Sequence, residues 1–309
     1  MAEFSYGGQA VIEGVVIRGK RTVALAVRRP SGTIYRYREP IRSPLQGSRI
    51  ARLPFIRGLV VLWESLAIGY RMLLRSANVA LEGEQVKLEG GGSALFLVVA
   101  VALALAFFVG VPYLATQAIR GVVDSSAAQN VLEGLLRLAL FLAYVWGISL
   151  LPDIRRVFAY HGAEHMTIHA YEHGDELSVS RIQPYSTAHP RCGTAFLLFV
   201  VFVSIIAFAF LERANPLVAL VERVLLVLPL AAISYELLRF GAAHERSPLV
   251  RLLVLPGILL QALTTRRPTD EMVEVAVASL EEALAGDADP VPTGTPVRPG
   301  RSPGEASVA

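Results

Sequence analysis

The spacing of apolar residues changes character several times along the chain. Residues 8–38 read as β. Stretches 9–18 and 22–28 are rich in valine and isoleucine, and 33–38 alternates apolar and basic side chains (Ile34, Tyr35, Arg36, Tyr37, Arg38) behind a Pro30-Ser31-Gly32 turn. Gly7, Gly8, Gly14 and Gly19 mark tight turns or a bulge. The pattern predicts a small antiparallel sheet within a β-containing unit, residues 1–43.

Over residues 44–80 the period becomes helical. Ile56, Leu59, Val60, Trp63, Leu66, Ala67 and Tyr70 recur at helical spacing, with Arg57, Glu64, Arg71 and Arg75 between them. Two readings stand side by side: an amphipathic helix lying on a membrane surface, or a helix covering the small sheet. Residues 82–93 form a Gly- and charge-containing linker, so 44–93 is taken together as helix plus linker.

Four longer apolar runs follow. Residues 94–116 carry no charge and are long enough to span about 30 Å of hydrocarbon, with Pro112 expected to kink the outer end. Residues 131–151 form a second run, with Arg137 in its first turns, where it is expected to snorkel. Residues 195–211 form a third, short and uncharged. Residues 216–240 form a fourth, interrupted by Glu222 and Arg223 near one end and by Glu236 and Arg239 near the other. A membrane unit over 94–240 is expected, with a His-rich loop at 152–194. Within 241–285, residues 249–264 are apolar but broken by Pro256-Gly257, which suits a re-entrant or interfacial element. Pro268 and Thr269 announce a further helix over 270–285. The Pro-, Gly- and Ser-rich residues 286–309 are expected to be a disordered tail.

Composition agrees with the runs. Apolar residues make up 53% and charged residues 18%, and the mean hydropathy is +0.50. This balance points to an integral membrane protein. The net charge of +3 is too small to argue for nucleic acid as a partner. The basic residues cluster by segment instead. Residues 1–93 carry 14 Lys plus Arg, loop 117–130 carries 1, loop 152–194 carries 4, loop 212–215 carries 1 and 239–309 carries 7. By the positive-inside rule this alternation predicts four spans in the cytoplasmic membrane, both termini cytoplasmic and the His-rich loop on the same side. The expected fold class is therefore mainly α: a multi-pass membrane bundle of about four transmembrane helices with a small N-terminal β-containing cytoplasmic domain. The lipid bilayer is its expected partner. The first residues lack a basic stretch followed by an apolar run, so no signal peptide is predicted.

The chemistry concentrates in residues 160–194, which hold five of the six histidines and the single cysteine, Cys192. His161, His165, His169 and His173 are spaced by four on a helix predicted to start near Asp153 and end near Gly174, so they form a slowly drifting stripe. Within it, His161, Glu164 and His165 read H-x-x-E-H, the order in which two histidines hold a metal and the glutamate acts as general base. Glu164 flanks the ligand face on this spacing. Further ligand candidates are His169, Glu172, His173, His189, Cys192 and Glu236. The turn around Pro190 and Gly193 can aim His189 and Cys192 back at the helix. Cys192 suits either a soft ligand or a nucleophile, and the planar fork of Arg191 suits an anionic group. Imidazole donors favour zinc, with iron or manganese as alternatives. Glu13, among glycines, has no role specified by its spacing.

The segments GGQAVIEGVVIRG at 7–19, YHGAEH at 160–165, AYEHG at 170–174 and HPRCGT at 189–194 resemble the YqhQ-like family of bacterial membrane proteins, a domain of unknown function. The likeness runs from about residue 5 to residue 285. It implies recurring positions at His161, Glu164, His165, Glu172, His189, Arg191 and Cys192, and a metal-dependent enzyme. The combined expectation is a metal-dependent hydrolase at the cytoplasmic membrane face. His161, His165, Glu172 and His189 are its metal ligands, and Glu164, Arg191 and Cys192 its catalytic residues. The alternatives are a non-catalytic metal-binding or metal-sensing membrane module, and a scaffold whose histidines only link helices.

Overall fold

The computed structural model describes residues 6–43, 48–82, 90–123, 125–190, 192–211, 215–244 and 247–288. The N-terminal β pattern folds into a four-stranded antiparallel meander: β1 (Gly7–Val11), β2 (Gly14–Arg18), β3 (Thr22–Arg28) and β4 (Ile34–Pro40), in spatial order β1-β2-β3-β4. The Val- and Ile-rich stretch 9–18, in which Gly14 marked a turn or bulge, is a hairpin in which Val11 faces Gly14 across a turn at Ile12 and Glu13. Glu13 takes φ 53° there, a left-handed conformation that costs a side-chain-bearing residue energy. Its carboxylate is held by Arg156, and the hydroxyl of Tyr160 donates to it at 3.2 Å.

The sheet is buried on both faces, which is why β2 and β3 read as apolar runs rather than as an alternation. Val15, Ile17, Ala24 and Ala26 pack against α5 (Pro152–His173) and α10 (Asp270–Ala288). Val11, Val16, Val23, Leu25 and Val27 pack with Met72 of α1 (Ile56–Ala80) on the other side. Of the expected unit 1–43, residues 6–43 thus form the middle layer of a three-layer unit and share its core with both helical layers. Helix α10 carries Val273, Val275, Ala276, Leu280 and Ala283 into that core. Its last turn is tied down by Asp287, whose carboxylate accepts from the N–H groups of Lys20 (2.6 Å), Arg21 (2.8 Å) and Thr22 (3.1 Å) in the β2–β3 turn. Of the expected tail, 286–288 belong to α10 and 289–309 lie outside the described residues.

Among the described residues, three segments are long and apolar enough to cross a membrane: Leu95–Ala118, Ser126–Ile148 and Pro216–Gly241. The first comprises most of α2 (Gly90–Leu105), one π-helical turn (Ala106–Gly110) and α3 (Val111–Ala118). The other two lie in α4 (Ser126–Ile148) and α8 (Pro216–Ala243). Four such helices were expected. The run at 195–211 forms α7 (Thr194–Ala209), whose 16 residues cover only about 24 Å. It packs against α4, α8 and α9 (Pro248–Thr264), so α9 is a continuous helix lying on α7.

Arg137 does not snorkel. It is buried, its Nη2 donates to Glu133 Oε1 at 2.7 Å and its Nη1 to Ser204 Oγ at 2.9 Å. The fully buried Arg223 donates from Nε to both oxygens of Glu133 (2.8 and 3.0 Å) and from Nη2 to Asn130 Oδ1 at 2.6 Å. Pairing is what makes charge tolerable at such a depth. Pro112 contributes to the same cluster. Lacking an N–H, it cannot engage the carbonyl four residues back, and Phe108 O accepts from Arg137 Nε instead at 2.9 Å.

Candidate metal centre

Helix α5 is bounded by local chemistry. Pro152 opens it, Asp153 lies in its first turn, and Gly174 closes it in the left-handed conformation at φ 74°. Its middle, from Ala159 to Ile168, is almost wholly buried because β1, β2 and α10 pack against it, while the 187–192 segment and the end of α9 bring polar groups to its histidines. Gly162 permits the closest approach: a Cβ there would lie 2.1 Å from Arg266 O. The chain after α9 can therefore run against α5, and Arg266 N donates to Phe158 O at 2.9 Å.

That approach orients His161. Its Nδ1 lies 2.8 Å from Thr264 O. Nδ1 of His165 lies 2.7 Å from Thr187 O. A carbonyl can only accept, so both Nδ1 atoms carry a proton, and in the neutral ring Nε2 is the nitrogen that offers a lone pair. The two rings are 4.3 Å apart between centroids. Cys192 Sγ lies 3.3 Å from His161 Nε2, and the N–H of Thr194, at the start of α7, donates to the same sulfur at 3.4 Å. One ligand atom each from His161, His165 and Cys192 fall within 4.8 Å of one another.

The remaining predicted residues distribute around this trio. His189 Nε2 lies 3.4 Å from Glu172 Oε2, and its ring centroid is 5.6 Å from that of His165. Gln261 fixes the His189 backbone in both directions, accepting from its N–H at 2.8 Å and donating to its carbonyl at 2.9 Å. Gly257 lets α9 and α7 approach closely enough for this, since a Cβ there would lie 2.6 Å from Ala195 Cβ. His169 faces Ala188 O at 2.9 Å and His173 faces His169 O at 2.7 Å, one and two turns beyond the trio. Arg191 lies outside the described residues. Glu236, a ligand candidate by sequence, is not in the candidate metal-holding group among the described residues: Arg57 Nε donates to it at 2.8 Å and Phe55 N at 3.1 Å.

Glu164 is buried beside the trio, with Oε2 3.5 Å from His165 Nε2. Its Oε1 accepts from Gly8 N at 2.9 Å. Burial pushes its carboxyl up to about 7, and the neighbouring Glu172 charge adds to this, while His161 and the Gly8 amide act in the opposite direction.

The donor set suits a borderline ion such as zinc. Two imidazole Nε2 atoms with their Nδ1 protons anchored on carbonyls, and one sulfur, are a familiar combination for that metal. Gly8, Gly162, Thr187, Gln261 and Thr264 were not identifiable as supports from the sequence. Gly8 and Gly162 lie in the quoted motifs, but a backbone carbonyl leaves no mark in residue identity.

Together these features define a class: a mainly helical protein with, among the described residues, three helices of membrane-crossing length and composition, joined to a sheet-backed helix whose His161 and His165 meet Cys192 from the segment before α7. The chain belongs to the family described as "Protein of unknown function (DUF1385)", whose model matches residues 53–286. It is 34% identical over 293 residues to the uncharacterized protein YqhQ of Bacillus subtilis (strain 168), an alignment that covers 91% of this chain and 92% of that protein. The resemblance seen in the sequence motifs therefore holds. No solved structure gives a significant match.

Proposed function

We propose that this chain is a metal-dependent hydrolase of the cytoplasmic membrane whose site faces the cytoplasm. His161, His165 and Cys192 would hold a divalent ion, zinc before iron or manganese. The single observation that carries the reading is the convergence of one ligand atom each from His161, His165 and Cys192 to within 4.8 Å of one another, with both Nδ1 protons directed at carbonyls. When bound, the ion supplies a Lewis acid that polarises a carbonyl or phosphoryl oxygen. Glu164 accepts or returns a proton at Oε2, and a carboxyl that ionises near neutrality suits that exchange. Glu172 and His189 form an adjoining acid–imidazole pair that can extend the ligand set or relay a proton. Arg191 remains the proposed anion-orienting residue.

The test is metal content by mass spectrometry on detergent-purified chain, wild type against His161→Ala/His165→Ala. About one equivalent of zinc in the wild type, lost in the variant, supports the site and directs a hydrolysis screen over phosphoesters and peptides. Absence of metal from both, after reconstitution with zinc, iron and manganese, overturns it.

One observation favours a second reading. Cys192 Sγ sits 3.3 Å from His161 Nε2, and Thr264 O orients the same ring from behind. A nucleophile, a base and a group that orients the base are the elements of a metal-independent thiol site. Activity that survives chelation but is lost on alkylation of Cys192 selects it.

A further inference from the structure

Helix α1 leaves one face uncovered. Its inner residues are spoken for: Glu64 pairs with Arg18 at 2.8 Å, Met72 enters the sheet core, and Gly69 lies against the Gln9 side chain. On another face, Ile56, Leu59, Trp63, Leu66, Tyr70 and Leu73 follow one another at alternating steps of three and four. Such a stripe runs about 26 Å along the helix. Trp63 is 71% exposed and Leu66 61%, so neither is covered by the described residues. Ile50, Leu53 and Phe55 continue the apolar surface ahead of the helix, where the exposed Arg49 and Arg52 also lie.

The position of the stripe says what covers it. The first turn of α1 is fastened to the far end of α8, one of the helices long enough to cross a membrane. Arg57 and the Phe55 amide hold Glu236, and a Cβ on Gly58 would lie 2.8 Å from the Tyr235 ring. Tyr235 is six residues short of Gly241, where that apolar segment ends, so α1 begins close to one end of a segment long enough to cross a membrane. The stripe on α1 thus starts beside the end of the apolar segment of α8. A tryptophan on an apolar stripe, with arginines at its head, is the composition of a helix lying in that boundary.

We infer that α1 lies in the membrane interface, with Ile56, Trp63, Leu66 and Leu73 in the acyl boundary of an anionic leaflet. Its inner face carries the sheet, and the sheet backs the histidine helix. The interfacial helix therefore holds the candidate metal centre at a fixed height above the lipid.

The chain has two tryptophans, Trp63 and Trp146, so each can be read alone. The full chain is reconstituted into vesicles of phosphatidylcholine and phosphatidylglycerol, with or without bromine on the acyl chains. The variants are Trp146→Phe, which reports Trp63, and Trp63→Phe, which reports Trp146 on a spanning helix. The expected result is that bromolipid quenches Trp63 about as strongly as Trp146, and that aqueous iodide quenches it little. Trp146→Tyr serves as a second background if Trp146→Phe folds poorly. Iodide quenching of Trp63 without bromolipid quenching overturns the inference. Protection from both, with Leu66→Cys forming a disulfide between two chains, overturns it in favour of a second copy on the stripe.

Discussion

The backbone N–H of Gly8 donates to Oε1 of Glu164 at 2.9 Å, joining the first strand to the histidine helix across 156 positions of sequence. The bond fixes one oxygen of the carboxylate and leaves the other, Oε2, 3.5 Å from His165 Nε2. Gly8 has no room for a side chain, since a Cβ would lie 1.8 Å from Val16 O. The glycine-rich hairpin therefore acts as part of the site's support.

Glu164 makes stability depend on pH in the metal-free chain. Its ordinary value of 4.5 is raised to about 7 by burial. The protonated form favours the fold, so its contribution is complete below about 4.5 and is lost as pH rises through 7. Glu164→Gln should remove this dependence and leave the variant more stable than wild type above pH 7, by at most roughly 3 kcal/mol. Thermal unfolding with chelator, scanned from pH 5 to pH 8.5, checks it; parallel curves for the two proteins would sink the idea.

Gly162→Ala should damage the site from behind. The added methyl meets a backbone carbonyl, so the 264–266 segment has to move and Thr264 O leaves His161 Nδ1. Overpacking of this kind costs about 1–3 kcal/mol. Loss of the carbonyl anchor should also weaken zinc binding at the proposed site roughly tenfold. Thermal unfolding and zinc competition with a chromophoric chelator read the two effects separately.

The buried ion cluster predicts an asymmetry. Glu133 neutralises one of two arginines, Arg137 and Arg223. Glu133→Gln leaves both guanidiniums buried without a counter-charge among the described residues and should cost about 3–5 kcal/mol. Arg223→Met leaves the Arg137–Glu133 pair intact and should cost clearly less. Unfolding in mixed detergent micelles ranks the two, and a larger loss in Arg223→Met would contradict the account.

Asp287 should matter out of proportion to its place at the end of a helix. Burial acts to raise its carboxyl, but the Arg21 and Lys20 amides, with Tyr6 and Thr22, outweigh that and hold it below the usual 3.8. Its stabilising share is thus present above that value and lost as pH falls through the lowered one. Asp287→Asn should cost roughly 2 kcal/mol at pH 7 and make little difference in strong acid. Thermal unfolding at the two extremes tests this.

The sequence by itself determined what depends on neighbours along the chain. The histidine stripe, the limits of α5 at Pro152 and Gly174, the start of α10 after Thr269 and the apolar segments follow from local spacing and local caps. The two readings of α1 were both present in its pattern, because one helix can show its opposite faces to different surroundings. Tertiary structure alone decided the rest. It turned 9–18 into a hairpin, buried Arg137 against Glu133 and Arg223, and gave Glu236 to Arg57. It also brought Cys192 to His161 across 31 positions, with Thr264 and Thr187 holding the rings. The physical reason is the same in each case. Local periodicity assigns a residue to a face, but the energy of a buried charge or an oriented imidazole depends on its partner. Those partners are here carbonyls, glycine gaps and charges brought close only by packing.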